Sequence, residues 1–486
     1  MNMLLDILKG TGRVLLWSAV TLSIVVLVML GINAVDEDLR PEVATALQPA
    51  KPTVPEQDNA FFAFIGLSAP AGIDASEHGR QWIADAATVD SLEMFEKYDK
   101  NRLDFAEIKG RFCTLYAQDC FEKARRNSGE VRKILAANEE LLGRYEAMLG
   151  FPRFEDLSPP RGFEFAPPYR HLSIAHSLKH AQVALLIDEG RLDEGLAVLE
   201  RQMAFDRRFL GGSTRLKLTA INDLSDDLLF IAEMLRVKRA ELAPFAARIG
   251  ALAAPLDLEQ RRMDRVLAAE FRFVASTIRP YRIEGSGKAL RKIARIPWEM
   301  LGLDDAAATR ARRFAVLDPL LARFLKENAT LNSFHPLYAR IAELSHLPPA
   351  GLSDGNRVLT RQAKHDAYNW RLAYNPGGKQ MSVAAAEFDL SDDVFRMHDL
   401  DGLLRLVALQ AAILAEGILD ANVAAFIGKS ERELFDPYTG KPMQWDAVKG
   451  QIWFAPASDL KRIIKLGGLE GRVVVAPWPS DPAIRP

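Results

Sequence analysis

The chain has 486 residues, 49% of them hydrophobic and 26% charged, with 62 Lys and Arg against 64 Asp and Glu. This is the composition of a folded protein with room for two or three cores, not of a disordered tail. A formal charge of -2, with Lys and Arg spread along the chain, excludes the basic surface that nucleic-acid binding needs. Two cysteines exclude a disulfide framework and a four-thiolate zinc site.

From Val14 to Ile32 the chain runs without a charge. At about 1.5 Å per residue this reaches roughly 28 Å, close to the hydrocarbon core of a bilayer. Lys9 and Arg13 precede the run and Asp36, Glu37 and Asp38 follow it, and the positive side stays in the cytoplasm. The expectation is a cytoplasmic tail at 1-13, a transmembrane helix at 14-34 and a body outside the inner (cytoplasmic) membrane, in the periplasm. A signal peptide cut after Ala34 is the competing reading, but its apolar region normally has about 7 to 15 residues. A buried core helix is the third. Residues 35-58 hold Pro41, Pro49, Pro52 and Pro55, a composition that predicts an extended stalk.

Beyond it the pattern is mainly α: an irregular helical body with helical hairpins. Apolar residues recur at spacings of three and four, as in Leu192, Leu196, Leu199 and Met203, or Ile221, Leu224, Leu228 and Leu235. The stretch Ala181 to Phe209 reads as helix, turn at Glu189-Gly190-Arg191, helix, with Asp193 and Glu194 at the second helix's positive end. No second copy follows at a 34-residue period, so a solenoid is not predicted. Another helix spans about Arg215 to Arg236, a break falls near Ala254-Pro255, and helical pattern resumes at Leu258. The segment Pro280 to Trp298 is basic and amphipathic, suited to anionic headgroups or, more simply, to a solvated helix face. Leu400 to Ala415 is nearly apolar all round and is predicted to lie at the centre of the body. The expected division is a helical domain at 59-254, a second helical domain or continuation at 255-425, and a small β-containing region at 426-486. In that last region two runs flank Lys449-Gly450 as a hairpin, and Arg472 to Ala476 offers a third strand. Asp436, Pro437 and Gly440 carry turn chemistry.

These features together resemble a loose group of uncharacterised bacterial membrane-anchored helical proteins. The residues that carry the resemblance are the N-terminal anchor, the tetratricopeptide-like hairpin over Ala184 to Phe209, Asn328-Ala-Thr-Leu-Asn332, and the apolar helix leading into Asp436-Pro-Tyr-Thr-Gly-Lys-Pro442. The terminal turn is also similar to the Asp-Pro-Trp-Gly turn of secretion pseudopilins, although the pilin processing sequence is absent from the N-terminus. The group implies no activity and no catalytic residue.

The search for chemistry returns few candidates. His176 and His180 stand four apart, on one face of a helix, and with nearby His171 would make a three-ligand metal site. No Glu follows the first His, so the zinc-protease pattern is not met, and a structural reading of these histidines is preferred. Asp99 to Gly110 fails three defining positions of a calcium loop, and His398-Asp-Leu-Asp-Gly402 is too short a calcium signature. Gly285-Ser-Gly-Lys288 lacks the remainder of a phosphate loop, and Ser458-Asp-Leu-Lys461 lacks the partner motifs of penicillin-recognising enzymes. The acid pairs Asp226-Asp227 and Asp392-Asp393 read as helix-surface or capping residues. No cofactor is expected. Cys113 and Cys120 are the only thiols, and in an oxidising compartment they should pair. On one continuous helix they would stand about 10.5 Å apart, beyond the roughly 7 Å limit for a disulfide, so pairing requires a break between Thr114 and Asp119. Two free thiols on a buried helix stripe are the alternative.

Two functional readings follow. One is a membrane-anchored extracytoplasmic scaffold or interaction protein of the bacterial envelope, holding a protein partner. The other is a membrane-anchored hydrolase acting on an envelope polymer, possibly metal-dependent, with ligands such as His176, His180 and Glu189.

Overall fold

The computed structural model describes residues 2-49, 51-86, 94-106, 119-159, 167-284, 324-349, 351-352, 358, 361, 373-387, 390-457 and 472-475. The helices used below are, in chain order, α1 (Asn2–Ile32), α2 (Pro41–Ala46), α3 (Phe61–Ile65), α4 (Ala75–Ala86), α5 (Cys120–Arg126), α6 (Ser128–Ala137), α7 (Glu139–Leu149), α8 (Tyr169–Asp188), α9 (Leu192–Phe209) and α10 (Thr214–Val237). They continue with α11 (Ala246–Leu252), α12 (Asp264–Glu284), α13 (Glu327–Leu344), α14 (Pro376–Glu387) and α15 (Leu390–Ala415). Three short strands follow, β1 (Gln444–Asp446), β2 (Gln451–Phe454) and β3 (Val473–Val475). The protein is therefore mainly helical with a small antiparallel sheet near its C-terminal end.

Helix α1 contains the one span, Leu15–Ile32, that is long and apolar enough to cross a membrane among the described residues. Its mean hydropathy is 2.5 and none of it is buried within the protein. Leu15, Trp17, Leu22 and Leu27 are each 65–68% exposed, an apolar surface that only a nonaqueous neighbour would stabilise.

The chain divides into two compact units. The first comprises Met1–Pro49, Phe271–Arg340 and Asn356–Asp389, and the second Ala50–Glu270, Ile341–Gly355 and Leu390–Pro486. The units thus interleave along the chain, which contiguous boundaries at 254 and 425 do not express.

In the first unit the segment after α1 is held at successive residues. The Asn33 side chain donates to the Ala373 carbonyl at 2.6 Å and accepts from the Asn375 N–H at 2.8 Å. The Asp36 carboxylate accepts from the N–H groups of Asn328 and Ala329 at 3.0 and 3.1 Å, capping the first turn of α13 from a distant part of the chain. Asn332 accepts from the Arg40 N–H and donates to the Asp38 carbonyl. The extended stalk expected at 35-58 is corrected accordingly. Pro41 opens α2, where its missing N–H costs no hydrogen bond, and Val43 is fully buried. Farther on, in the second unit, Glu155 accepts from the N–H groups of Thr53 and Val54 at 2.8 Å each.

The second unit is built on the α8–α9 hairpin. Its turn falls at Glu189-Gly190, where Gly190 takes φ +78° and the Arg191 N–H reaches back to the Leu186 carbonyl at 2.8 Å. Helix α10 packs on α9, and α15 packs on α10 and α11. Leu404, Leu406, Val407, Leu409, Ala411 and Ile413 are fully buried, so α15 runs through the centre of this unit. Each such Leu or Ile contributes about 1.5–3 kcal/mol by leaving water. At the other end Phe61 and Phe64 of α3 join Phe154, Phe205 and Phe209, with ring centroids 4.2–6.4 Å apart. Helix α3 can meet α4 this closely because Gly79 has no side chain: a Cβ there would stand 2.0 Å from the Phe62 carbonyl oxygen. The sheet order is β1-β2-β3, antiparallel throughout, with Trp445 opposite Ile452 and Trp453 opposite Val474.

Cys120, the first residue of α5, is disulfide-bonded, and the chain's other cysteine is Cys113. Cys113 and residues 114-118, where the break is expected, lie outside the described residues. Reducing the bond, or Cys120→Ser, should cost about 2 kcal/mol, measured as a lower urea midpoint.

Candidate functional site: a buried histidine and carboxylate cluster

Three successive helices each supply two polar residues four apart: His176 and His180 from α8, Gln202 and Asp206 from α9, Asp223 and Asp227 from α10. That spacing places each pair on one helix face. The hairpin and the packing of α10 on α8 and α9 then turn the three faces toward one another. All six residues are at most 3% exposed, and Tyr145 of α7 beside them is fully buried. So many polar groups in an apolar interior are costly unless they satisfy one another or a ligand.

Asp227 is the hub. Its Oδ1 lies 2.6 Å from His180 Nε2, 2.6 Å from the Gln202 side-chain nitrogen and 3.2 Å from His176 Nε2. A carboxylate oxygen accepts, so His180 presents an N–H there and Gln202 donates from its amide. His176 Nε2 also approaches Asp206 Oδ2 at 3.6 Å, but neither of its approaches is aligned as a hydrogen bond. The two imidazoles meet edge to face with centroids 4.7 Å apart, and His180 stacks on Phe230 at 4.7 Å and 4°. His176 Nε2, Gln202 Oε1, Asp206 Oδ2, Asp223 Oδ2, Asp227 Oδ2 and the Tyr145 hydroxyl are all buried without a hydrogen-bond partner among the described residues.

The electrostatics separate these groups. Burial works against charge on His176, yet the neighbouring Asp223 and Asp227 hold its ring well above the ordinary histidine range. Burial likewise opposes ionisation of Asp227, but the charge of His176 at 3.2 Å and the bond from His180 keep its carboxyl below the usual range. His180 is pushed down by burial and stays neutral. Burial pushes Asp206 and Asp223 up. Without a ligand the cluster is an ion pair of His176 with Asp227, surrounded by carboxyls that resist ionisation.

The structure brings His176 and His180 together but places His171 elsewhere: its Nε2 bonds the Leu103 carbonyl at 2.9 Å and its ring meets Phe105. Glu189 binds Arg132 at 2.7 Å and faces Arg191 at 3.4 Å on the hairpin turn. The pair Asp226-Asp227, read from sequence as surface or capping residues, divides: Asp227 is fully buried while Asp226 is half-buried. Gln202, Asp206, Asp223 and Tyr145 escaped the sequence reading. The signal that could have found them is a polar residue recurring on the stripe that Leu196, Leu199 and Met203 mark as buried. His398-Asp-Leu-Asp-Gly402 lies in α15, where Asp401 accepts from the Leu256 N–H at 2.8 Å and from Arg405 at 2.6 Å. Asp436 forms its turn by accepting from the Tyr438 N–H at 2.8 Å, and the Gly440 N–H closes onto its carbonyl at 2.9 Å. The segments Gly285 to Lys288 and Ser458 to Lys461 lie outside the described residues.

A second buried carboxylate has a structural task. Glu233 of α10 accepts from the N–H groups of Phe121 and Glu122 at 2.8 and 3.1 Å, capping α5. Burial nevertheless pushes its carboxyl up to about 7. A folded value above the unfolded one means that the folded state holds the proton more tightly. The associated stability is complete below the ordinary glutamate range and is lost as pH rises through about 7. Glu233→Gln should flatten that decline, as read from urea midpoints between pH 4 and 8.

Comparison of the chain with protein-family models, with curated proteins and with solved structures finds no match.

Proposed function

We propose that the protein is a single-pass envelope protein, tethered by α1 in the inner membrane, whose helical body lies in the periplasm and holds a protein partner. The observation that carries this reading is α1 itself: an apolar span buried nowhere in the protein, with Lys9 and Arg13 before it and Asp36, Glu37 and Asp38 after it. Helical-hairpin surfaces are a common means of binding peptides and helices, which favours an interaction role for the body. The rival hydrolase would use the histidine cluster, but all its members are sealed from solvent, and hydrolysis needs an entry for both water and polymer. An interaction protein accords better with that burial.

The full chain should sediment with membranes and resist carbonate extraction, whereas a variant lacking residues 2-32 should leave the membrane fraction. Protease added after permeabilising the outer membrane should remove the body. Protection of the residues beyond Asp58 would overturn the orientation. Affinity capture from detergent-solubilised membranes should return a stoichiometric protein partner.

A further inference from the structure

We infer that His176, His180, Asp206 and Asp227 bind one divalent transition-metal ion of the zinc type, which fastens α8, α9 and α10 to one another. The inference rests on donors, spacing and unsatisfied atoms. Two imidazoles and two carboxylates are a ligand set suited to such an ion. Their charge balances the ion's, so the complex as a whole adds no net charge to the interior.

The ligand atoms of His176, His180 and Asp227 all lie within 4.8 Å of one another; Asp206, whose Oδ2 stands 3.6 Å from His176 Nε2, lies outside that group and would close in as the fourth ligand. Around an ion that holds its ligands at about 2.0–2.2 Å in a tetrahedron, neighbouring ligand atoms stand roughly 3.4 Å apart. The 3.2 Å from His176 Nε2 to Asp227 and the 3.6 Å from His176 Nε2 to Asp206 already meet that spacing. The hydrogen bond from His180 to Asp227, at 2.6 Å, must open by less than about 1 Å; His180 then carries its proton on Nδ1 and the His176 imidazolium releases one proton, so that both Nε2 lone pairs are free for the ion.

The unsatisfied atoms are the independent observation. His176 Nε2, Asp206 Oδ2 and Asp227 Oδ2 are buried without hydrogen-bond partners, and the residues that carry them are 2, 1 and 0% exposed. Three such atoms converging from three helices are uncommon in a settled core. An ion pair alone leaves them unused, whereas a metal ion would engage His176 Nε2 and Asp206 Oδ2 directly and the Asp227 carboxylate through Oδ1. Gln202 would serve as the outer support, since its amide holds Asp227 at 2.6 Å and thereby fixes the carboxylate's orientation. Because the site is closed, the ion would be taken up as the helices assemble, and it would act on stability.

The test uses the full chain purified in detergent, stripped with a chelator and titrated with zinc and with cobalt(II). The expected result is one tightly bound ion per chain and a cobalt spectrum of tetrahedral type. Excess zinc, but not magnesium, should raise the melting temperature by roughly 5 °C or more. His180→Ala and Asp227→Asn should each weaken zinc binding by about 100-fold or more, while His171→Ala should bind as the parent does. X-ray absorption of the zinc-loaded parent, which needs no variant to fold, should show two imidazole ligands. No stoichiometric ion, a metal shell without two imidazoles, or a folded Asp227→Asn protein that binds zinc as the parent does would each overturn the inference.

Discussion

Asp227→Ala should destabilise the body by about 3–5 kcal/mol, the cost of removing one member of a buried charged pair and leaving the other without its partner. The His176 imidazolium, 2% exposed, would lose the carboxylate 3.2 Å from its Nε2 and keep only Asp206 and Asp223, whose ionisation burial opposes. His180 and Gln202 would lose the oxygen that both now bond at 2.6 Å. The measurement is urea denaturation of the full chain in detergent at neutral pH, followed by helical circular dichroism. A loss below about 1 kcal/mol would mean that water or a rearranged Asp206 replaces Asp227, and Asp227 would then not be the hub of the cluster. Replacing His176, His180 and Asp227 together by Leu should recover part of the loss, because apolar packing then replaces the buried ion pair.

The second large effect is expected at Gly79. Gly79→Ala would place a methyl group 2.0 Å from the Phe62 carbonyl oxygen, a backbone atom that cannot turn aside. Helices α3 and α4 must separate, and the aromatic packing of Phe61 and Phe64 loosens with them. The expected cost is about 3 kcal/mol, at the upper end of overpacking effects, despite the better helix propensity of alanine. Gly143 in α7 is the matched control, since nothing lies within 4 Å of its missing Cβ. Gly143→Ala should stabilise by about 0.5–1 kcal/mol, so the two substitutions should move the melting temperature in opposite directions.

What the amino-acid sequence discloses here depends on whether the signal is local. The α8–α9 hairpin is written in its periodicity and in Gly190, and the apolar α15 and the strand pairing around Lys449-Gly450 are equally readable. The helix over Arg215 to Arg236 is found within one residue at each end. The cluster is different. His176 and His180 stand out because histidine is scarce, with 8 in the chain, whereas Asp206, Asp223 and Asp227 are three among 64 acidic residues and stand out only once the packing is known. Nor do the prolines of 35-58 announce that Asp36 caps α13, some 290 residues away in the chain. A local composition rule reads proline as extension, while the hydrogen bonds that overrule it come from afar.

The anchoring of Asn33 and Asp36 has a mechanical meaning. Ile32 ends α1, and within four residues the side chains of Asn33 and Asp36 are bonded to the backbone of Ala373, Asn375, Asn328 and Ala329. No slack remains in which the span could swivel independently of α13. A rod embedded in a bilayer tilts when the bilayer thins or thickens, and with α1 in the proposed membrane-spanning role that tilt would act as torque on the unit to which the rod is fastened. On that proposal the first unit would be levered by the membrane rather than dangling from it, and its inclination would record the thickness of the lipid around α1.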